Sequence, residues 1–516
     1  MSTQVTRRQV LVAASALPFL GLLAACGGGA APPGSPSGLG GQGGTLTLSS
    51  GVIEPQIDLA LRTANPPLIY QRQIGDSLTM TDDAGGVKPQ LADSWKNVDP
   101  TTWEFKLKPN IKFSNGKAFG GEDVKWSVDR ILDPANKFGT ILGNIGTIAE
   151  VQVVDATTVR FKTKAPDPII DRRLSSVMIM PAGITMDQAA TKPIGTGPWQ
   201  VDDFQPSQSL TLVPFNDSWR GKPKLSKLVA KSIVDDGARL GALQSGELDF
   251  ATAISPDKVD GLKQAGFQIL STTIAAGPAI FLDAKLPQWA DTRLRQAMNY
   301  AVDKQSIVQN IWRGFTEPSS QIISKYAFGF NPDLQPYPYD PNKAKSLLDQ
   351  VGLPANFSTT VLTPVNVLNM KEAAEAAVGF LNQVGIKANL QIIEFGNWAT
   401  GFSAGTLTPA FMAASPYYPT LDASIPLIAF SSSDPLHRTF YKNPQYDDLM
   451  KQQATELDTN KRRSLLQQAL KVAHDDPPTV LLVQQADIYA ASSKLKGLFK
   501  PAPNQVNWFD TTSKEG

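Results

Sequence analysis

Residues 370–395 read MKEAAEAAVGFLNQVGIKANLQIIEF, and they establish the class of fold. The spacing of the apolar residues predicts a helix over 370–384. Gly385 then ends the helix, because glycine readily adopts the left-handed backbone that often follows a last helical turn. The apolar and β-branched residues over 387–395 predict a strand. A helix, a glycine and a strand in this order indicate an α/β protein.

The same kind of unit recurs on both sides of this stretch. Asp340 and Pro341 predict a helix start, with Asp as N-cap and Pro in the first turn, and Gly352 predicts its end. Its apolar face would comprise Ala344, Leu347, Leu348 and Val351. Further helices are predicted over 122–132, 306–312 and 459–474, and further strands over 45–48 and 479–483. Helices and strands therefore alternate along the chain.

The N-terminus has the features of an export signal that ends at a lipid attachment site. Arg7 and Arg8 precede an uncharged apolar run over 10–25, which is shorter than the roughly 20 residues that span a bilayer. Cys26, the only cysteine, follows two alanines, as in a bacterial lipoprotein signal. We therefore predict a signal peptide over 1–26 with lipidated Cys26, exported by the general or the twin-arginine route. An ordinary secretory signal with an incidental cysteine is the alternative.

Residues 27–44 are rich in glycine, proline and serine and predict a flexible tether. They include GLGGQG at 38–43, which matches the G-x-G-x-x-G pattern. A dinucleotide-binding loop must follow a strand and open a helix, and this segment does neither. We therefore do not expect a nucleotide site there.

The amino-acid composition disfavours one class of binding partner. The 516 residues include 48 basic and 47 acidic ones, mixed along the chain, with a formal charge of +1. This balance disfavours nucleic acid as a partner. Beyond Cys26 no cysteine is available for an internal disulfide, so stability must come from packing. The length is sufficient for two or three lobes with sizeable cores.

A series of short motifs resembles one known family. The motifs are PQLADSW at 89–95, WEFKL at 103–107, IKFSNG at 111–116, EDV at 122–124, GTGPW at 195–199, NDSWRGKP at 216–223, ALQSGELD at 242–249, RLRQAMNYAVD at 293–303, YDP at 339–341 and NPQYD at 443–447. In this order they resemble the family 5 extracellular solute-binding proteins, the receptors of dipeptide, oligopeptide and nickel ABC importers. The resemblance extends over residues 45–510.

The resemblance implies an α/β fold, a two-lobed clamp of the periplasmic-binding-protein type II with an extra subdomain in lobe I. The implied parts are lobe I at 45–73, 195–282 and 486–516, its subdomain at 74–194, and lobe II at 283–485. Crossings near 281–285 and 484–488 would form the hinge. A solute would be buried between the lobes, and closure would present a new surface to the importer.

One loop departs from the peptide-binding relatives. In those proteins a lobe II segment resembling Gly-Trp-x-x-Asp-Tyr-x-x-Pro carries an Asp that pairs with the free amine of the peptide. The matching stretch here, AASPYYPTLD at 413–422, has Ala414 at the Trp position and Tyr417 at the Asp position. A buried ammonium needs a buried anion. The resemblance therefore implies weaker selection for a free amine, and it leaves open a neutral, aromatic or sugar-like solute or a peptide held through its backbone.

The candidate ligand-binding residues are Trp398, Tyr417, Tyr418 and Asp422. Trp398 matches a family Trp that often lines the cavity, where an indole could stack on a flat ligand; core packing behind the strand over 387–395 is the alternative. We expect both tyrosines to face the cleft because such loops border it. Asp422 matches a later acidic position of the family pattern and could reach a cation, or it could cap a helix over 423–430.

Catalytic and metal sites are disfavoured. His437 and His474 are the only histidines, and metal ligands are usually His, Cys or clustered carboxylates. A nickel chelate would not need these ligands and stays open. Gly-x-Ser-x-Gly, His-Glu-x-x-His and Walker A patterns do not occur in the sequence. A carboxylate-only glycosidase stays formally open because Asp and Glu are plentiful.

The sequence therefore predicts a monomeric receptor that is not an enzyme and needs neither cofactor nor resident metal. It would be lipid-anchored to the cell membrane outside the cytoplasm and would deliver a solute to the permease and ATPase subunits of an ABC importer. An oligopeptide is the first expectation, and an aromatic, sugar-like or metal-chelate solute is the alternative. A chaperone or signalling lipoprotein on the same fold, or a hydrolase, is a more distant alternative.

Overall fold

The computed structural model describes residues 43–61, 65–365, 367, 369–414, 419–434, 439, 441–505 and 507–515. Cys26, most of the predicted tether, Tyr417, Tyr418 and His437 lie outside these residues. Within the described ranges the chain forms a seven-stranded, a five-stranded and a four-stranded sheet, which we call the first, second and third sheets.

The first sheet is organised around the strand nearest the N-terminus. Its strands lie in the order Gln268–Thr273, Ala486–Ala491, Phe250–Ala251, Thr45–Ser49, Lys227–Lys231, Ser209–Pro214 and Trp199–Gln205. Thr45–Ser49 pairs in parallel with both of its neighbours, and Leu46 and Leu48 are fully buried. The strand predicted over 45–48 is therefore confirmed.

The second sheet contains the helix–glycine–strand unit of residues 370–395. Its strands lie in the order Lys387–Ile393, Ser358–Pro364, Ala410–Ala414, Pro278–Leu282 and Thr479–Leu481. The helix Met370–Gln383 is followed by Gly385 at φ 97° and then by the edge strand Lys387–Ile393. The strand is shorter than predicted, because the next helix, Phe395–Ala404, begins at Phe395.

The third sheet is antiparallel and is covered by a helix. Its strands lie in the order Ala92–Asp99, Thr102–Leu107, Thr158–Thr163 and Ile148–Asp155. The helix Gly121–Leu132 buries Val124, Val128 and Ile131 in the apolar cluster of this sheet. The helix predicted over 122–132 is thus confirmed, together with its apolar face.

Further helices and two short strand pairs complete the regular secondary structure of the described residues. The other α-helices are Asn65–Ile74, Gly139–Ile145, Ile170–Leu174, Met186–Thr191, Asp236–Gln244, Val259–Gln264, Thr292–Ala301, Lys304–Asn310, Pro341–Val351, Ser424–Leu427, Pro444–Thr455 and Thr459–Asp475. Short strand pairs join Thr79–Thr81 to Val87–Pro89 and Leu495–Lys496 to Ser513–Lys514. Across the described residues, no helix has both the length and the apolar character that crossing a membrane would need.

Two helix starts are set by capping side chains, and the sequence predicted the first of them. Asp340 caps Pro341–Val351 by accepting a hydrogen bond from a backbone N–H at 2.8 Å, and Gly352 ends this helix at φ 66°. Asp303 caps Lys304–Asn310 in the same way, at 2.9 Å. Such caps stabilise a helix by about 1 kcal/mol each, so these ends are set by local sequence.

The strand Pro278–Leu282 belongs to the second sheet. It pairs with Ala410–Ala414 on one side and Thr479–Leu481 on the other. The resemblance implies that lobe I extends to residue 282. A continuously buried apolar strand carries no pattern that shows which sheet it joins. The lobe limits stay predictions.

The first and second sheets share one apolar cluster. Phe250 of the first sheet and Phe281 and Phe411 of the second belong to this cluster. Ile280 and Leu282, which alternate with Phe281 along the strand, pack on the opposite face against helices. The connections between the two sheets therefore lie beside a common core.

Candidate functional site

The chain passes from the first sheet to the second over 274–277 and returns over 482–485, and these two crossings lie side by side. The N–H of Ile274 donates to the carbonyl of Gln485 at 2.9 Å, and the N–H of Gln485 donates to the carbonyl of Ala276 at 3.0 Å. The Gln484 amide donates to Ser319 Oγ at 2.8 Å. Two adjacent short connections between sheets can act as a hinge. The hinge implied near 281–285 and 484–488 stays a prediction.

Away from the crossings, residues near the third sheet contact residues that follow the strand Ala410–Ala414 of the second sheet. Thr81 Oγ1 donates to the carbonyl of Pro419 at 2.5 Å. Arg172, in the helix Ile170–Leu174, donates from Nη1 to the carbonyls of Thr420 and Leu421 at 3.2 and 3.4 Å. We call these hydrogen bonds the lobe contact, since they join the predicted subdomain of lobe I to predicted lobe II.

Asp422 lies directly behind the lobe contact and is fully buried. Its two oxygens accept hydrogen bonds from Nη1 and Nη2 of Arg462, both at 2.8 Å. Arg172 Nε lies 3.6 Å from Asp422 Oδ2. Burial alone would raise the pKa of Asp422. The charges of Arg462 and Arg172 and the hydrogen bonds from Arg462 and Ser424 outweigh burial and hold the pKa well below its ordinary range.

The surroundings of Asp422 favour a structural role. Besides binding Arg462, its Oδ1 accepts hydrogen bonds from Ser424 N at 3.0 Å and Ser424 Oγ at 2.6 Å, at the start of the helix Ser424–Leu427. The helix predicted over 423–430 is thus a short α-helix followed by a 3-10 turn, Ile428–Phe430. A direct contact between Asp422 and the solute stays a prediction, which this arrangement does not favour.

Trp398 packs on the second sheet from the helix Phe395–Ala404. Its Nε1 donates to the carbonyl of Met412 at 3.0 Å. Its ring stacks with Phe402 at a centroid distance of 5.0 Å and with Phe395 at 5.9 Å. The indole is partly buried, so the geometry agrees with the core-packing interpretation, and a ligand contact stays a prediction. No hydrogen bond joins Trp398 to Asp422 in the described part of the chain.

The predicted contacts Tyr417 and Tyr418 fall outside the described residues, but both ends of their loop are described. The strand Ala410–Ala414 precedes the loop, and Pro419 follows it. Because Pro419 accepts the hydrogen bond from Thr81, the loop returns to the described chain at the lobe contact. The loop therefore begins at a strand of the second sheet and ends at the lobe contact.

Sequence reasoning missed three charged residues near this region: Arg172, Arg462 and Asp487. Asp487 lies in the strand Ala486–Ala491, just after the second crossing. Its Oδ2 accepts hydrogen bonds from the Tyr489 hydroxyl at 3.0 Å and from the Gln505 amide. Burial raises the pKa of Asp487 above its ordinary range. No motif marks these residues, and the partners of Arg172 and Arg462 lie far away in the sequence.

The histidines form no metal site in the described residues. His474 lies in the last turn of Thr459–Asp475, where its ring stacks on Tyr337 at 4.8 Å and its Nε2 lies 3.0 Å from the carbonyl of Gln335. Among the residues that the structure describes, no group of three or more His, Cys, Asp or Glu side chains could hold a metal ion.

Known proteins resemble this chain over most of its length. A family model described as bacterial extracellular solute-binding proteins, family 5 middle, matches residues 86–435. The glutathione-binding protein GsiB of Shigella dysenteriae serotype 1 (strain Sd197) is 28% identical over 446 residues, which cover 80% of this chain and 83% of GsiB.

Two solved structures have a similar fold. The periplasmic binding protein DppA of Helicobacter pylori, in complex with the peptide STSA, superposes with a TM-score of 0.79 at 23% identity and covers 92% of this chain and 98% of DppA. NikA of Staphylococcus aureus, in complex with Ni(L-His)2, has a TM-score of 0.77 at 21% identity and covers 92% of this chain and 100% of NikA.

These likenesses confirm the two-lobed α/β fold of the periplasmic binding proteins. GsiB and DppA are binding proteins, in keeping with a role that is not enzymatic. Because the family model covers more than half of the chain, this protein belongs to the family 5 bacterial extracellular solute-binding proteins, the receptors of ABC importers.

Proposed function

We propose that this protein is a lipid-anchored importer receptor that captures a short peptide or peptide-like solute between its lobes. The observation that carries the proposal is the family match over residues 86–435. A permease with its ATPase then receives the solute from the closed receptor. Cys26 is the proposed lipid attachment site, which would keep the receptor at the outer face of the membrane.

Two relatives support a peptide-like solute. GsiB is a glutathione-binding protein, and DppA was solved with the peptide STSA. Glutathione and STSA are both short chains joined by amide bonds, so backbone hydrogen bonds could hold either of them without a large side-chain pocket. NikA with Ni(L-His)2 supports a metal chelate as the alternative solute.

Within this proposal, the lobe contact is part of the closed form. The hydrogen bonds from Thr81 and Arg172 to the carbonyls of Pro419, Thr420 and Leu421 require the two regions to lie against each other. A solute that touches both lobes adds further contacts to this form and shifts the equilibrium towards it. Tyr417, Tyr418 and Trp398 remain the proposed solute contacts, and Asp422 holds the lobe contact from behind.

Native mass spectrometry of the fragment that starts at Gly44, purified without denaturation, tests the class of solute. We expect peptide masses that disappear after unfolding and refolding. A single non-peptide mass, or a nickel-containing one, would contradict the peptide proposal. Trp398→Ala and a variant with Tyr417 and Tyr418 changed to Phe then test the proposed contacts, with an exposed change such as Asp203→Asn as the control.

Cell fractionation tests the anchor. The natural chain is expected in the membrane fraction with a lipid on the N-terminal peptide, and Cys26→Ala is expected to release it. An unchanged distribution of the variant, with no lipid on the natural chain, would argue against lipid anchoring.

Uptake assays separate the receptor from its distant alternatives. Deletion of the gene should abolish import of the retained solute, and a plasmid copy should restore it. Normal uptake after deletion would favour a chaperone or signalling lipoprotein. Recovery of the solute as a cleaved product would favour a hydrolase.

A further inference from the structure

Asp487 is a desolvated carboxylate whose partners among the described residues are all neutral. The Tyr489 hydroxyl and the Gln505 amide both donate to its Oδ2. No lysine, arginine or histidine of the described residues forms an ion pair with it, and no cation contributes to its pKa, which burial raises. Part of the residue is still accessible.

Two other interior carboxylates of this protein, Asp422 and Asp76, are paired with arginine. Asp422 binds Arg462, and Asp76 binds Arg220 at 3.0 Å. A desolvated carboxylate without a cation destabilises the fold. Asp487 therefore lacks the partner that comparable residues here have, and such a group in a cleft is a candidate for binding a charged ligand.

Gln505 supplies a second open acceptor beside Asp487. It is only 6% exposed, and its Oε1 is buried with no hydrogen-bond partner among the described residues. Oδ1 of Asp487 also accepts no hydrogen bond from the described part of the chain, since both bonds go to Oδ2. Because the two side chains are hydrogen-bonded to each other, these two open oxygens lie in the same small region.

The two open acceptors lie next to the lobe contact. Asn504, adjacent to Gln505, donates from Nδ2 to the carbonyl of Thr81. Thr81 in turn donates to the carbonyl of Pro419, across the lobes. Asp487 itself follows the second crossing directly. The acceptors are thus placed between the hinge and the lobe contact, where a solute would be enclosed.

We propose that Asp487 and Gln505 bind a primary ammonium group of the solute. An ammonium carries a positive charge and three N–H donors, so it would compensate the carboxylate and could reach both open oxygens. The inference rests on the proposed function in one respect, that a solute is enclosed between the lobes. Asp487 would also provide a carboxylate for an amine. The resemblance places Tyr417 at the position where the peptide-binding relatives have the Asp that pairs with the amine.

Titration calorimetry with trialanine and N-acetyl-trialanine tests the ammonium site in the fragment that starts at Gly44. The unmodified fragment should prefer the free amine by about tenfold or more, the scale expected for a desolvated charge pair. Asp487→Asn should bind both probes alike, and the control Asp203→Asn, which changes an exposed carboxylate of the same sheet, should keep the preference. An Asp487→Asn protein that still prefers the free amine would overturn the inference.

The chemical identity of the retained solute distinguishes a failure of this inference from a failure of the peptide proposal. A non-peptide solute with a primary amine, retained less by Asp487→Asn than by Asp203→Asn, would refute the peptide proposal and support the ammonium site. A solute of any class without a basic nitrogen would overturn the ammonium site.

Thermal unfolding distinguishes binding from a structural role. Ligand-free Asp487→Asn should unfold at the same temperature as the unmodified fragment or higher, because an uncompensated charge has been removed. A lower unfolding temperature together with lost amine preference would instead assign Asp487 a structural role.

Discussion

Asp422 and Lys304 are both buried charged residues, but their partners differ. Asp422 accepts two hydrogen bonds from Arg462, and Arg172 adds a second positive charge. Lys304 donates to the carbonyl of Asn299 at 2.7 Å, and burial lowers its pKa to about 7. An ion pair compensates desolvation far better than one neutral acceptor does, so the two residues should respond differently to substitution and to pH.

Removal of the charge at position 422 should destabilise the protein strongly. Asp422→Asn leaves Arg462 and Arg172 buried without their anion, and breaking a buried pair from one side typically costs about 3–5 kcal/mol. Denaturant unfolding of the variant and the unmodified fragment measures this loss. Asp129→Asn is the control, because the Lys125–Asp129 pair is exposed and should contribute about 1 kcal/mol or less. Equal effects of the two changes would contradict the assigned role of Asp422.

Lys304 should make stability depend on pH in the alkaline range. Its folded-state pKa is about 7, below the value of about 10.4 in an unfolded chain. Between these values the unfolded state binds more protons, so the free energy of unfolding should increase as pH rises from about 7 to about 10. Lys304→Met removes this contribution.

The matching measurement is denaturant unfolding of both proteins at pH 7, 8 and 9. The free energy of unfolding of the unmodified fragment minus that of Lys304→Met should grow with pH. A difference that stays constant or shrinks over this range would show that Lys304 is not desolvated in the folded protein.

At the scale of elements, the helix–glycine–strand unit of residues 370–395 depends on one backbone conformation. Gly385, which follows the helix Met370–Gln383, has φ 97°. A residue with a side chain rarely adopts this conformation. Gly379, inside the same helix, has an ordinary helical backbone, and an added Cβ there would meet no atom within 4 Å. The backbone therefore requires glycine at position 385, whereas alanine would fit at position 379.

The same substitution at these two glycines should have opposite effects. Gly385→Ala should lower the free energy of unfolding by about 1–2 kcal/mol, because alanine is strained at positive φ. Gly379→Ala should raise it by about 0.5–1 kcal/mol, because alanine favours the helix. Denaturant unfolding of the two variants in parallel checks both signs, and each variant is the control for the other.

At the scale of the whole molecule, Arg172 joins the predicted subdomain of lobe I to predicted lobe II. It binds the carbonyls of Thr420 and Leu421 and lies near Asp422. Among the described residues, its neighbour Arg173 binds only within the subdomain, to Asp167 and to the carbonyl of Asn144, both at 2.7 Å. Adjacent arginines on one short helix thus differ in whether they act across the lobes.

Substitution of Arg172 should favour the open receptor. Arg172→Lys keeps the charge but loses the planar donor group that reaches two carbonyls, and hydrogen bonds from charged donors contribute about 1.5–3 kcal/mol. The ligand-free variant should have a larger radius of gyration by small-angle X-ray scattering. Its affinity for the retained solute should fall by about tenfold, in proportion to the closed fraction.

Arg173→Lys is the matched control for the lobe contact. It should leave both the radius of gyration and the affinity unchanged, because its contacts lie within one lobe. If Arg172→Lys matches this control in both measurements, the lobe contact does not contribute to closure.

Much of the fold could be predicted because its determinants are local. Apolar periodicity, capping residues such as Asp303 and Asp340, and glycines such as Gly385 act within a few residues, so the helices and strands they delimit were placed nearly correctly. Less of the candidate site could be predicted from the sequence. Trp398 was selected from a family position, and its hydrogen bond to Met412 could not be seen before the second sheet was assembled.

The sequence by itself determined the α/β class, the order of most helices and strands and the family, because short-range patterns and ordered motifs carry this information. Only the tertiary structure decided that Pro278–Leu282 joins the second sheet and that Asp422 binds an arginine 40 residues away. It also decided that Asp487 has no cationic partner among the described residues. The physical reason is that desolvation and charge pairing depend on which distant segments meet, and local sequence does not encode that meeting.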